Sequence, residues 1–242
     1  MLRANCHFLP GYVWHITHRC HHKQFQLKFA RDRRRYLQWV FEANKRFGLS
    51  VLNYVVTCNH IHLLVRDRGE GEIARAMQLV SGRTAQSFNN RKRRDGAFWQ
   101  DRYHATAVEH DVHLLRCMAY IDLNMVRANV VAHPADWDES GYREIQRLPQ
   151  RYRIIDVATL QHLFGCATPE AVRALVIART ARALAEEKIR RDPAWTESLA
   201  VGSRQFLVQV KQSLGLRAAA CTVVEGDDLT VLREDRVPYR PI

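Results

Sequence analysis

Two imidazoles set two positions apart, His60 and His62 in Asn59-His60-Ile61-His62-Leu63-Leu64-Val65, are the side chains whose spacing first suggests chemistry. Side chains alternate sides along a strand, so both histidines would share one face while Ile61, Leu63 and Val65 turn into a core. Adjacent imidazoles are half of a metal site. The same pattern also suits ordinary surface or core histidines, and the pair alone leaves both readings open. A second set follows at Arg116, Tyr120, Asn124 and Arg127, whose steps of four, four and three place them on one helix face. A tyrosine there is either a packed ring with a wet hydroxyl or a nucleophile.

The elements that must position these groups can be read in order. Gly11 to Arg19 alternates and is rich in aromatic and β-branched residues, predicting a strand with Val13, His15 and Thr17 on one face. Asp32 to Phe47 carries the apolar stripe Tyr36, Leu37, Val40, Phe41, Phe47 and stops at Gly48, predicting a helix. Strands follow at Ser50–Thr57 and His60–Arg66, then a helix from Gly69 to Asn90. Ala105 to Glu109 reads as a short strand. Asp111 can cap a helix from Val112 to about Val126, with Leu114, Met118, Ile121 and Met125 as its buried stripe. Beyond residue 150 the periodicity predicts helices at Ile155–Phe164, Pro169 to about Arg190 and Ser203–Leu214, then a loose tail of about 25 residues. This order predicts an α+β fold: a ferredoxin-like antiparallel sheet with helices on one face, and a helical C-terminal extension. The domain division that follows is 1–150 and 151–242.

Composition narrows the partners. The 242 residues hold 37 Lys and Arg against 25 Asp and Glu, a formal charge of +12, which favours nucleic acid. The basic turn Arg91-Lys92-Arg93-Arg94 runs into Phe98-Trp99-Gln100-Asp101-Arg102-Tyr103, mixing cations for phosphates with rings for bases. No stretch is long and apolar enough to span a membrane, and the N-terminus lacks a signal peptide's apolar core, so a cytoplasmic location is the expectation. The cysteines at 6, 20, 58, 117, 166 and 221 lack CxxC spacing and read as reduced thiols.

Four segments resemble the HUH single-tyrosine transposases, and within them the REP-associated tyrosine transposases. They are Gly11-Tyr12-Val13-Trp14-His15-Ile16-Thr17-His18-Arg19, Asn59-His60-Ile61-His62-Leu63-Leu64, Phe98-Trp99-Gln100-Asp101-Arg102-Tyr103 and Tyr120-Ile121-Asp122-Leu123-Asn124-Met125-Val126-Arg127-Ala128. They stand in that family's order and cover residues 8–145. Cys58 and Met125 replace the family's usual prolines and Cys20 a frequent glycine; none of the three removes a group the chemistry needs.

The resemblance implies an HUH tyrosine transposase/nuclease domain over 1–150: a metal-dependent single-stranded DNA endonuclease and strand transferase acting at hairpin-forming repeats. Tyr120 would form a 5′-phosphotyrosine. His60, His62 and Asn124 would hold Mg²⁺ or Mn²⁺. Arg19, Lys92, Arg93, Arg94, Trp99, Arg102, Tyr103, Arg116 and Arg127 would contact DNA, which would be single-stranded or folded as a hairpin, and the protein would act as monomer or homodimer. The rival readings are a non-catalytic DNA-binding relative acting on repeats, a relaxase-like nickase, and a zinc hydrolase built on His18, Cys20, His21 and His22.

Overall fold

The computed structural model describes residues 7–147, 152–186, 190–226 and 228–234. Its centre is a four-stranded antiparallel sheet of β1 (Val13–Arg19), β2 (Ser50–Val56), β3 (His60–Arg66) and β4 (His104–Val108). β1 lies between β3 and β4, and β2 pairs on the far side of β3. Two helices, α1 (Ala30–Phe47) and α2 (Glu72–Lys92), pack against each other. α1 buries Tyr36, Val40 and Ala43, carries Asp32 in its first turn and Lys45 and Arg46 in its last, and ends where Gly48 turns left-handed at φ 69°. α2 lies on the sheet face bearing His18, whose ring nitrogen sits 3.4 Å from Ser81.

The other face belongs to His15, Thr17, His60 and His62. The strand register sets Thr17 opposite His62 and Arg19 opposite His60. Ile61, Leu63 and Val65 point away from them and are buried, as period-two alternation requires. This face is also covered, in part, by α3 (Val112–Asp122) and by the C-terminal region. α3 is fixed to β2 by Asn53, whose amide donates to the Met118 carbonyl at 3.3 Å and to Asp122 Oδ1 at 2.8 Å. The predicted helix through Val126 is interrupted at Leu123, and α4 (Asn124–Arg127) restarts it as one short turn. Glycine is required where α5 (Gly141–Gln146) meets β2, because a Cβ on Gly141 would run into Asn53 Oδ1.

The extension packs on the elements before it. α6 (Val157–Phe164) and α7 (Pro169–Ala185) pack together, and α7 also packs on α3. α8 (Ala194–Glu197) leads into β5 (Ala200–Val201), which pairs in parallel with β4. α9 (Arg204–Leu214) follows, starting from its Ser203 cap. The expected loose tail is corrected: β6 (Cys221–Glu225) and β7 (Thr230–Glu234) form an antiparallel hairpin on β5, completing a seven-stranded sheet in the order β2-β3-β1-β4-β5-β7-β6. Val223, Val231 and Leu232 give the hairpin only a short apolar alternation, which is why periodicity passes over it. The predicted end of α7 near Arg190 gives way to an end at Ala185, and residues 187–189 and 235–242 lie outside the described residues. No described helix is long and apolar enough to cross a membrane.

Candidate functional site

A pocket of about 410 Å³ opens where β1, β3, α3, α4 and the chain around α8 meet. His60, His62, Tyr120, Asn124, Arg19, Arg102 and Arg127 all line it, so seven of the expected site residues converge. β3 presents both imidazoles, with ring centroids 5.0 Å apart. α3 presents Tyr120 with its ring centroid 5.9 Å from that of His62, nearly perpendicular to it. After the one-residue break at Leu123, α4 brings the Asn124 amide to 3.0 Å from His62 Nε2.

The protonation of these groups follows from their surroundings. His62 is 3% exposed. Burial, then the neighbouring His15, His60 and arginines, hold its pKa well below the usual imidazole range. His60 is half-buried at the pocket mouth, where burial, Arg19 and Arg127 lower its pKa to about 4. Both rings are therefore neutral near pH 7 and keep a lone pair for a cation. Tyr120, 9% exposed, has its phenol pKa raised by burial, against a smaller opposing pull from Arg127. The Arg127 guanidinium sits 4.0 Å from the centre of the Tyr120 ring and donates to the Tyr120 carbonyl at 2.6 Å. It thereby fixes the tyrosine's turn of helix and supplies positive charge beside it.

Two imidazoles and a carboxamide suit a divalent ion of intermediate or hard character, and the pocket has room for one. Among the described residues no cluster of three or more His, Cys, Asp and Glu is arranged to hold a metal; beside the two imidazoles stands the amide of Asn124. Its Nδ2 faces His62 here; rotating the amide by half a turn presents Oδ1 to the same point.

Other expected residues lie elsewhere. Lys92 ends α2 and Arg93 and Arg94 form the turn after it, with Lys92 over the Phe29 ring and Arg94 bonded to the Ala97 carbonyl. The Trp99 ring stacks on His18 at 4.0 Å and its indole donates to the Ser81 carbonyl, so one face and its donor serve packing. Tyr103 stacks near Phe8. Arg116 shares its helix with Tyr120 but reaches a neighbouring cavity, donating to the Asp228 carbonyl at 2.8 Å.

The sequence reading passed over four contributors. His15 is fully buried with its Nε2 2.8 Å from His62 Nδ1. Its other nitrogen lies 2.9 Å from the Trp195 carbonyl. Arg191, Thr196 and Glu197 line the pocket from the extension, and Arg191 pairs with Glu197 at 2.7 Å. The alternation that puts His15 on the face of Thr17 was the available signal for the first; the other three carry no local pattern. Cys20 is buried, its thiol pushed up to about 12 by burial, and His18 is engaged with the Asp101 carbonyl.

Residues 10–124 match the family model described as "Transposase IS200 like". Among solved structures, a REP-associated tyrosine transposase bound to a REP hairpin is similar at 17% identity and a TM-score of 0.49, covering 62% of this chain and 91% of that one. A candidate transposase from Deinococcus radiodurans R1 is similar at 13% identity and a TM-score of 0.35, covering 51% of this chain and 88% of that one. No curated protein matches the chain.

Proposed function

Taking residues 10–124 as an IS200-like transposase region, we propose that this protein cleaves and rejoins single-stranded DNA through a covalent tyrosine. The observation that carries the reading is the meeting of His60, His62, Asn124 and Tyr120 in one pocket edged by Arg19, Arg102 and Arg127. The substrate is single-stranded DNA flanking a hairpin, whose phosphates the arginines at the pocket edge, Arg19, Arg102 and Arg127, are placed to meet.

In the proposed reaction the Tyr120 oxygen attacks the scissile phosphorus. A tyrosyl O–P bond forms, the P–O3′ bond breaks, and the 3′ oxygen leaves as a hydroxyl after taking up a proton. The product is a 5′-phosphotyrosine, which a 3′-hydroxyl of another strand attacks to restore the phosphodiester and release the phenol. Phosphodiester energy is conserved, so rejoining needs no nucleotide cofactor. His60, His62 and the Asn124 amide would hold Mg²⁺ or Mn²⁺, which supplies Lewis-acid polarisation of the phosphate. Arg127 orients Tyr120 and lowers the cost of ionising it, and Arg19 and Arg102 receive the flanking phosphates.

The test is incubation with hairpin oligonucleotides bearing a single-stranded flank, with Mg²⁺ or Mn²⁺, followed by denaturing gels. A covalent protein–DNA adduct is expected from the wild type and none from Tyr120→Phe, with binding retained. An adduct that persists in Tyr120→Phe refutes this nucleophile and makes Tyr103 the next to test; preference for plain duplex refutes the substrate class.

A further inference from the structure

We propose that His15 is a positioning residue for the cation site, fixing through a hydrogen-bond relay from the Trp195 carbonyl which nitrogen of His62 faces the metal. The proposal rests on the metal-dependent reading above and extends it to a residue and a carbonyl with no contact to the substrate.

A carbonyl oxygen can only accept, so the 2.9 Å contact between His15 Nδ1 and the Trp195 oxygen puts a hydrogen on Nδ1. His15 is 0% exposed and its two ring nitrogens face that carbonyl and another imidazole, surroundings that favour the neutral ring. A neutral imidazole has one N–H, which leaves His15 Nε2 as an acceptor. Its partner 2.8 Å away, His62 Nδ1, must then be the donor. Two bare nitrogens at that distance would set lone pair against lone pair. His62 is therefore protonated on Nδ1, and its free lone pair lies on Nε2, the nitrogen that faces Asn124 across the pocket.

His60 is set the same way by a different route. Asn59 donates its amide to the Lys23 carbonyl at 3.0 Å, which turns Asn59 Oδ1 toward His60 Nδ1 at 2.7 Å. His60 Nδ1 is then also a donor and its Nε2 is bare. Both candidate ligands are thus locked in the tautomer that ligates through Nε2, and each relay ends at a main-chain carbonyl. Outer partners of this kind hold ligating histidines in orientation and raise their basicity.

The Trp195 carbonyl is itself held. The single hydroxyl hydrogen of Thr106 on β4 is shared between it at 3.3 Å and the Ser198 carbonyl at 2.7 Å, and His104 Nε2 lies 3.0 Å from that same Ser198 oxygen. The segment around α8 is therefore stitched to β1 and β4, and it lies outside the residues matched by the transposase family. The extension has a task in this proposal: it closes the relay that sets the metal-facing nitrogen.

Two measurements on the full chain test this. Imidazole ¹⁵N NMR of the metal-free wild type should show His15 and His62 each protonated on Nδ1. Mn²⁺ titration by calorimetry should show His15→Leu weakened by about 10–100-fold. His15→Gln should recover part of the loss, because its amide can accept from His62 and donate to the carbonyl. His62 protonated on Nε2, equal Mn²⁺ affinity in wild type and His15→Leu, or a His15→Gln no better than His15→Leu would each overturn the proposal. Should His15→Leu fail to fold, the NMR assignment on the wild type still decides. Absence of Mn²⁺ binding by the wild type would overturn it together with the metal requirement. Failure of the Tyr120 adduct alone would leave both of these readouts standing.

Discussion

Asp122 offers a quantitative test of how the helix bearing Tyr120 is held. It sits two residues after Tyr120 and two before Asn124, buried, accepting from Asn53 at 2.8 Å and from Thr180 of α7 at 3.2 Å. Burial raises its carboxyl pKa from 3.8 to about 7, outweighing both hydrogen bonds. The unfolded chain ionises Asp122 near 3.8 while the fold keeps it protonated, so its contribution is intact below that value and is lost as pH rises toward 7. About three units correspond to roughly 4 kcal/mol at pH 8. Asp122→Asn keeps the shape: its carbonyl accepts from Asn53 and its amide faces the Thr180 hydroxyl. Urea unfolding of wild type and variant in chelator should therefore diverge, the variant gaining on the wild type by about 3 kcal/mol between pH 5 and pH 8. A gap that stays constant across that range would refute a buried, protonated Asp122.

On the acid side the sign reverses. His15 and His18 have pKa values lowered by burial to about 3 and about 4, from an ordinary 6.5, so their stability is complete above 6.5 and falls as pH drops toward those values. Each should cost about 2 kcal/mol at pH 5, and the urea midpoint of metal-free protein should fall between pH 7.5 and 5.0, less steeply in His18→Gln. Gly141→Ala should lower stability by about 1–3 kcal/mol, seen as a lower melting temperature, because the added methyl meets Asn53 Oδ1 and pushes on the residue that anchors α3. Arg127→Ala should slow adduct formation on the order of a hundredfold and move its pH profile upward, since the guanidinium that lowers the phenol pKa is gone. An unmoved pH profile would assign Arg127 to packing alone.

The parts of this protein that were legible are those where local pattern and tertiary demand agree. β3 begins and ends at His60 and Arg66 as the alternation predicts, because one face had to be apolar throughout. The apolar stripe Leu114, Met118, Ile121, Met125 is buried as expected, although the helix breaks at Leu123. The convergence of His60, His62, Tyr120 and Asn124 was readable from type, spacing and resemblance together. Arg116 lines only the neighbouring cavity while Tyr120 and Arg127 line both, because one helix face, seen from the side, serves two cavities. Trp99 reads as a base platform in sequence, yet His18 takes its ring face, a contact between residues 81 positions apart (99 − 18). The hairpin β6–β7 was missed because its strands are short and their partner, β5, has only two residues. Pairing of this kind is set by tertiary context, and no periodicity announces it.

The electrostatics of the pocket separate the proposed ligands from the proposed nucleophile. Burial works in one direction on all of them, against charge. For His60 and His62 that direction is the useful one, since a neutral imidazole with a fixed lone pair is ready to ligate. For Tyr120 it is the wrong one, since the phenolate that would attack phosphorus in the proposed reaction is the form burial disfavours. Arg127 offsets only part of that cost in the free protein. The balance tips only when more positive charge arrives beside the phenol, and in the proposed mechanism that charge comes with the cation and the DNA it binds. A site built this way has its ligands prepared and its nucleophile restrained, so Tyr120 should be unreactive toward phosphorus until cation and strand are both in place.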